Sequence, residues 1–465
     1  MSRTTAPPAA DGRNGTAPGP APEARRRSNT ELGLLVLGVL VVLCAYALVG
    51  LSQNPVLPAG LAPYGGALIA LAVAAHLVTR KLAPGADPLL LPVAFLLNGL
   101  GLVMVRRIDF AYAVRDDPPA ALAPLQTVWT VIGIAAFCLT LVLLRDHRVL
   151  DRYRYLIGLA ALALLLTPLL PGLGREIRGA RIWLRLGGFS IQPGEFAKLG
   201  IVAFFASYLS DKRALLSVAT NRLGPFHVPP ARAFAPVAAA WLVSLAVLVF
   251  QKDLGLSLLF FGIFVVMLYI ATSRPAYVVA GTLLFSSGAY LAWTAFAHVQ
   301  ARVAIWLDPF ADAEDAGFQL VQSLFALGTG RIVGVGWGQG RPDFIPDVHT
   351  DFIFSAFGEE LGLLGTTALL LCYFLLVGRG FGIAARARDD FGMLLAAGLT
   401  VVFALQVFVI VGGVTRLIPL TGLTLPFMSY GGSSLLANYI LVALLLRVSA
   451  DPGDAGRPAG QGATA

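Results

Sequence analysis

Apolar residues come in long unbroken blocks, with polar residues gathered between them. Blocks near 31–51, 60–79, 88–105, 124–144, 154–170, 195–209, 234–250, 254–271, 276–297, 354–377, 392–412 and 433–448 carry almost no charge. A helix needs about 20 apolar residues to cross a bilayer, and only helices or closed barrels satisfy their backbone groups there. The pattern therefore predicts an all-α polytopic membrane protein of about twelve transmembrane helices. The blocks at 195–209 and 433–448 are short, and their edges are the least defined. The first block is too long for a signal-peptide core and lacks a cleavage box, so it reads as an uncleaved span. Residues 1–30 are rich in Pro, Ala, Gly and Thr and end in Arg25-Arg26-Arg27, which reads as a disordered cytoplasmic tail. Residues 31–123 hold the N-terminal helices, 124–448 the main body, and 449–465 a second short disordered tail.

Composition excludes the soluble classes. Of 465 residues, 57% are hydrophobic and 13% charged, where soluble domains run at about a quarter charged. Cys44, Cys138 and Cys372 lie in apolar blocks without a CxxC pair, and the histidines show no metal-ligand spacing, so neither a disulfide frame nor a zinc site is indicated. The net charge of +8 does not call for nucleic acid, because membrane proteins collect Arg and Lys in their cytoplasmic loops. With the N-terminal tail inside, alternate gaps hold Arg80 and Lys81; Arg145, Arg148, Arg152 and Arg154; Lys212, Arg213, Arg222 and Arg232; Arg274; and Arg379, Arg386 and Arg388. The other gaps are bare or balanced. Both termini are thus expected in the cytoplasm, with a large extracellular loop, 298–352, between helices nine and ten. One outer gap departs from the rule: 172–192 carries Arg175, Arg178, Arg181 and Arg185 against Glu176 alone. Either it binds something anionic, or neighbouring spans override its charge.

The loop 298–352 gathers most of the remaining polarity, interleaving Asp308, Asp312, Glu314, Asp315, Asp343, Asp347 and Asp351 with aromatic residues and glycines. Carboxylates beside aromatics at a membrane surface point to sugar contact or general-base chemistry, with a solvated acidic loop as the alternative. Ionisable groups inside the bilayer are functional candidates. Glu195 and Lys198 stand at i, i+3, close enough to pair; Asp253 precedes a helix it could cap; Glu359 and Glu360 lie near the outer end of the tenth span. Each fits a structural pair or cap as well as a direct role. Pro419, Gly422, Pro426, Gly431 and Gly432 break the apolar texture before the last span, as backbone lining a cavity does.

Several strings match a known family in order and spacing: Gly179-Ala-Arg-Ile-Trp-Leu184, Phe189-Ser-Ile-Gln-Pro-Gly-Glu-Phe-Ala-Lys198, Gln251-Lys-Asp-Leu-Gly255, His349-Thr-Asp-Phe-Ile-Phe354, Gly358-Glu-Glu-Leu-Gly362 and Pro426-Phe-Met-Ser-Tyr-Gly-Gly-Ser433. Over roughly 124–448 the chain resembles the SEDS (shape, elongation, division and sporulation) family, which includes RodA and FtsW. The family's usual fold has ten spans, so two extra helices are expected among the blocks at 60–105, as in actinobacterial members. The resemblance implies a peptidoglycan glycosyltransferase of the plasma membrane that polymerises lipid II on the extracytoplasmic side. It implies a class B penicillin-binding protein as partner, surrounding membrane lipid, and no nucleic acid. No organic cofactor is implied; a divalent cation, Mg or Mn, could assist, and the metal ligands are unknown.

By the same resemblance the loop Trp306–Gln319 is similar to the block carrying the family's essential aspartate, which falls on Asp312 when Gly317-Phe318-Gln319 is aligned with Gly-Tyr-Gln. Ala313 and Asp315 stand where the family has Pro and Gly, so Asp308, Glu314 and Asp315 stay in contention. Substrate and pyrophosphate contacts are implied at Arg178, Arg181, Trp183, Arg185, Glu195, Lys198, Lys252 and Gln319. Motif positions are Gln192, Asp253, His349, Asp351, Glu359, Glu360, Ser429, Gly431, Gly432 and Ser433. The string Gly340-Arg-Pro-Asp-Phe344 favours an elongation role like that of RodA over the division role. The main rival is a transporter that flips lipid II; against it, the halves of the chain show no self-similarity and the acids cluster on one face, not at mid-bilayer. A scaffold for the transpeptidase would have little need of so elaborate a loop.

Overall fold

The computed structural model describes residues 22–113, 121–177, 180–186, 189–217, 221–223, 226–228 and 231–450. Each apolar block falls on a helix. The first four are α1 (Pro22–Gln53), α2 (Leu61–Leu82), α3 (Leu90–Ala113) and α4 (Leu122–Leu143). A short α5 (Arg148–Arg152) leads into α6 (Arg154–Leu166). The cationic gap then forms three strands, β1 (Gly174–Ile177), β2 (Ala180–Leu186) and β3 (Phe189–Ile191), ahead of α7 (Pro193–Ser217). A small hairpin, β4 (Asn221–Leu223) and β5 (Phe226–Val228), precedes α8 (Ala231–Phe250), α9 (Leu254–Thr272) and α10 (Pro275–Ala295). The long polar stretch contains α11 (Ala297–Leu307) and α12 (Phe318–Gly330); α13 (Ile353–Arg386), α14 (Asp390–Val414) and α15 (Gly432–Ser449) complete the bundle. Among the described residues, nine helices are long and apolar enough to cross a membrane. Of the other three on apolar blocks, α6 and α8 carry short apolar stretches, and α7 has charged residues at both ends.

Burial separates a central set from a peripheral one. Helix α3 is buried on nearly every side, and α14 and α15 almost as fully, whereas α10 leaves nearly its whole surface uncovered. Apolar side chains cost nothing against hydrocarbon, so Leu283, Leu284, Tyr290 and Leu291 of α10 stay exposed without penalty. Small residues set the closest approaches. A Cβ on Gly133 of α4 would meet the Tyr439 ring of α15 at 2.7 Å, and one on Gly398 of α14 would meet Val202 of α7 at 2.7 Å.

Helix α1 begins ahead of its apolar block because its polar start is anchored. Buried Glu31 Oε1 lies 2.7 Å from His76 Nδ1, Arg80 Nε donates to His76 Nε2 at 2.8 Å, and Arg27 Nη1 donates to the Gly85 carbonyl at 2.8 Å. The pure-helix expectation is amended in two places, at the β4–β5 hairpin and at 172–192. There β1, β2 and β3 pair antiparallel in that order, with Arg175 opposite Trp183 and Arg185 opposite Ser190. A sheet satisfies its backbone between strands, so this short irregular segment needs no helical length.

Helix α13 is broken near its start. Gly362 sits at φ +66°, and the freed groups of 359–364 pair with the segment 331–336: Val335 and Gly336 donate to the carbonyls of Glu359 and Glu360, and Leu363 and Leu364 donate to those of Arg331 and Ile332. A Cβ on Gly362 would lie 2.3 Å from the Gly334 nitrogen. Only glycine fits there.

Candidate active site

The sequence blocks meet at one end of the bundle. Along β2 the side chains alternate faces, so Arg181, Trp183 and Arg185 share one, with Arg175 opposite Trp183 on the neighbouring strand. The Arg181 amide donates to the Gln251 carbonyl at 3.4 Å, fixing the sheet to the end of α8. Arg181 and Trp183 are half-buried and Arg185 is exposed; Arg178 lies outside the described residues. From β3, the Gln192 amide donates to Ser433 Oγ at 2.9 Å and its side-chain nitrogen reaches Asp253 Oδ2 at 3.5 Å. Three blocks far apart in sequence thus converge on Gln192.

Beneath this junction, the first turns of α7 bury an ion pair. Lys198 Nζ donates to Glu195 Oε2 at 2.6 Å and to Gln406 Oε1 of α14 at 2.8 Å, and Gln406 Nε2 in turn donates to the Thr424 carbonyl at 2.9 Å. Asp253 caps α9, accepting the Leu256 amide at 2.9 Å. Burial pushes its carboxyl up to about 6; the Leu256 amide opposes this, Glu195 adds to it and Arg302 counters it. Lys252, at φ +60°, turns the backbone so that its side chain is exposed while that of Asp253 is buried.

Arg302 completes the cluster. It projects from α11, donates to the Leu420 carbonyl at 2.6 Å, and faces the carboxylates of Asp351 and Asp253. Burial pulls its guanidinium below the ordinary range while the two acids pull the other way. His298, one turn earlier, is lowered by burial and by the charges of Arg302 and Lys252. Lys252 and Arg302 therefore bring two cations to one place, with the His298 imidazole beside them, a grouping not evident from the sequence. The i, i+4 spacing of His298 and Arg302 was its one local trace.

Asp312 lies on the loop between α11 and α12. Its Oδ2 accepts the Ala316 amide at 3.3 Å and its carbonyl accepts the Gly317 amide at 2.8 Å, forming a closed turn in which a Cβ on Gly317 would meet the Pro309 carbonyl at 2.2 Å. The loop is held at its start by Trp306 and Arg416, which exchange hydrogen bonds to each other's carbonyls at 3.1 and 2.8 Å, and after it by Gln319, which donates to the Pro346 carbonyl at 2.7 Å. Asp312 is exposed and, among the described residues, makes no ion pair. Asp308, Glu314 and Asp315 are exposed beside it; Asp308 accepts the Phe310 amide at 3.2 Å.

Other motif residues hold the frame. Glu360 accepts Arg107 Nε at 2.9 Å and the Gly338 amide at 2.8 Å, while Arg107 Nη2 donates to the Gly340 carbonyl at 2.6 Å. Glu359 accepts the Arg341 amide at 3.0 Å. Ser429 Oγ donates to the Thr350 carbonyl at 2.5 Å, and the Tyr430 amide to that of His349 at 2.8 Å. The Gly431 amide donates to Gln126 Oε1 at 3.3 Å, and Gly432 lies against Trp129, where a Cβ would come within 2.1 Å. Among the described residues, no group of three His, Cys, Asp or Glu is arranged to hold a metal ion.

Residues 88–452 match the FtsW/RodA/SpoVE model of cell cycle proteins, leaving α1 and α2 outside the match. The chain is 50% identical over 429 residues, 92% of both chains, to the peptidoglycan glycosyltransferase RodA of Mycobacterium tuberculosis. It is 35% identical over 366 residues, 78% of this chain and 94% of the relative, to the probable peptidoglycan glycosyltransferase FtsW of Geobacter metallireducens. Among solved structures, a chain from "Structural coordination of polymerization and crosslinking by a peptidoglycan synthase complex" is similar at TM-score 0.62 and 29% identity, covering 78% of this chain and 97% of that one. The rod shape determining protein RodA of Thermus thermophilus is similar at TM-score 0.54 and 28% identity, covering 78% and 96%. The family match and the identity to RodA along most of both chains show that this protein belongs to the FtsW/RodA/SpoVE family, as a RodA-like peptidoglycan glycosyltransferase of the membrane.

Proposed function

We propose that the protein polymerises lipid II into glycan strands at the extracytoplasmic face of the membrane, for cell elongation, beside a class B penicillin-binding protein that cross-links the product. The acceptor sugar's 4-hydroxyl attacks the anomeric carbon of the lipid-linked strand. The bond from that carbon to the pyrophosphate oxygen breaks with inversion, and Asp312 takes the hydroxyl proton. No acid is needed for the leaving group, since pyrophosphate already departs as an anion; a glycosidase, by contrast, needs a second carboxyl. Lys252 and Arg302, with Arg181 and Arg185 on the sheet, supply the positive charge that steadies it. The lipid tail explains why the site is built into a bundle: it reaches the headgroup from the bilayer, between helices.

The observation that carries this reading is the pairing of an exposed carboxylate, without a cation partner among the described residues, with a separate cationic cluster, joined through α11. A base must remain free to accept a proton, while a pyrophosphate site must present positive charge to the leaving group. The test is purified protein in membranes with labelled lipid II, read for polymer. Asp312→Asn should abolish strands while costing at most about 1 kcal/mol of stability, one exposed hydrogen bond. Polymer of wild-type length and rate from that variant rejects the base assignment. A vesicle flipping assay on the same preparation tests the transporter alternative.

A further inference from the structure

Helix α11 carries Arg302 on its body and Asp312 on the loop that leaves its end, yet no residue of α11 is wholly buried. Packing alone fixes it weakly, so polar ties decide where it lies. Those ties come from the irregular segment between α14 and α15. The Leu420 carbonyl takes Arg302 at 2.6 Å. One turn further along α11, Trp306 Nε1 donates to the Arg416 carbonyl at 3.1 Å. The Arg416 guanidinium reaches back across the helix end, donating from Nε to the Trp306 carbonyl at 2.8 Å and from Nη2 to the Leu307 carbonyl. Carbonyls of a last helical turn have no N–H of their own helix to accept, and a cation there also meets the negative end of the helix dipole. Arg416 itself stands at φ +62°, a left-handed backbone that a side chain keeps only when its surroundings hold it. The segment is anchored in turn. Its Thr424 carbonyl takes Gln406 at 2.9 Å, and its Pro426 carbonyl takes the Tyr373 hydroxyl at 2.7 Å.

We propose that Arg416 is a positioning residue for glycosyl transfer, setting the end of α11 and with it the aim of the Asp312 carboxylate. The inference rests on Asp312 as the base. Because the Gly317 amide closes on the Asp312 carbonyl and the Ala316 amide on its carboxylate, the loop follows its stem as one piece. A shift of the stem therefore carries the carboxylate with it, and a misplacement of about 1 Å can cost about a hundredfold in rate. The shape of the group matters as well as its charge. Two neighbouring carbonyls are met by two N–H groups of one rigid plane, which the point charge of a lysine cannot reproduce.

The test measures initial rates of strand synthesis by the full chain in membranes over a range of labelled lipid II, with Asp312→Asn alongside. Arg416→Met should lower kcat about thirtyfold and leave KM within about twofold, since Arg302 stays tied to the Leu420 carbonyl. Arg416→Lys should recover part of the loss. Trp306→Phe, which removes the reciprocal bond, should lower kcat by itself, and the double variant should fall well short of the product of the two losses, as two halves of one joint do. Wild-type kcat in Arg416→Met while Asp312→Asn is inactive overturns the inference and leaves the base assignment standing. A loss that disappears when rates are divided by the amount of folded protein overturns it equally. Should Arg416→Met not fold, wild-type kcat in both Arg416→Lys and Trp306→Phe overturns it. Strands at the wild-type rate from Asp312→Asn overturn the base assignment and this inference together.

Discussion

Replacing Glu195 by Gln removes the anionic partner of a fully buried ammonium. Lys198 is 0% exposed and Glu195 2%, with Nζ and Oε2 2.6 Å apart and Gln406 Oε1 as the other acceptor at 2.8 Å. Breaking a buried pair from one side costs about 3–5 kcal/mol, because the surviving charge stays out of water. Replacing both members by uncharged groups of similar volume is often neutral, or stabilising by about 1–4 kcal/mol. Glu195→Gln, Lys198→Met and the double variant therefore form a cycle with opposite expectations for stability and activity. Either single change should destabilise by several kcal/mol, and the double variant should recover most of the loss. Polymerisation should stay lost in all three, because the ion pair itself is missing beneath the junction of Gln192, Asp253 and Ser433. Unfolding in detergent, followed by circular dichroism, reads the first quantity; strand synthesis from labelled lipid II reads the second. A double variant restored in both would make the pair structural only. A Glu195→Gln protein as stable as wild type would refute the burial argument itself.

Two further expectations follow from the same end of the bundle. Asp253, raised by burial from 3.8 to about 6, keeps its proton in the folded state where the unfolded chain has released it. Stability should thus be greatest below about pH 4 and fall by about 3 kcal/mol as pH rises through about 6. Asp253→Asn, which can still cap α9, should flatten that dependence in thermal unfolding measured across the range; an unchanged slope would assign it to another group. Arg302→Met should lower the strand-synthesis rate by about a hundredfold, the scale of losing one preorganised donor, and Arg302→Lys should recover part of it. A loss confined to folded yield would make Arg302 a structural residue.

The sequence by itself determined the membrane class and the course of the helices, because hydrocarbon leaves a chain few options: an apolar run of spanning length must close its own backbone hydrogen bonds. The pairing of Glu195 with Lys198 was readable for the same local reason, since residues three apart on a helix face each other. The family blocks named regions without saying what touched what. Only tertiary structure decided that Gln192, Asp253 and Ser433 meet, that Glu360 holds Arg107 and the Gly338 turn, and that the cationic segment folds as a sheet. Arg302 shows the limit best. Its neighbours in sequence are apolar, and its importance comes from Asp253 and Asp351, each about fifty residues away. Charge acts through space at a few ångströms, and no local pattern records which distant carboxylates the packing of helices will bring within that range.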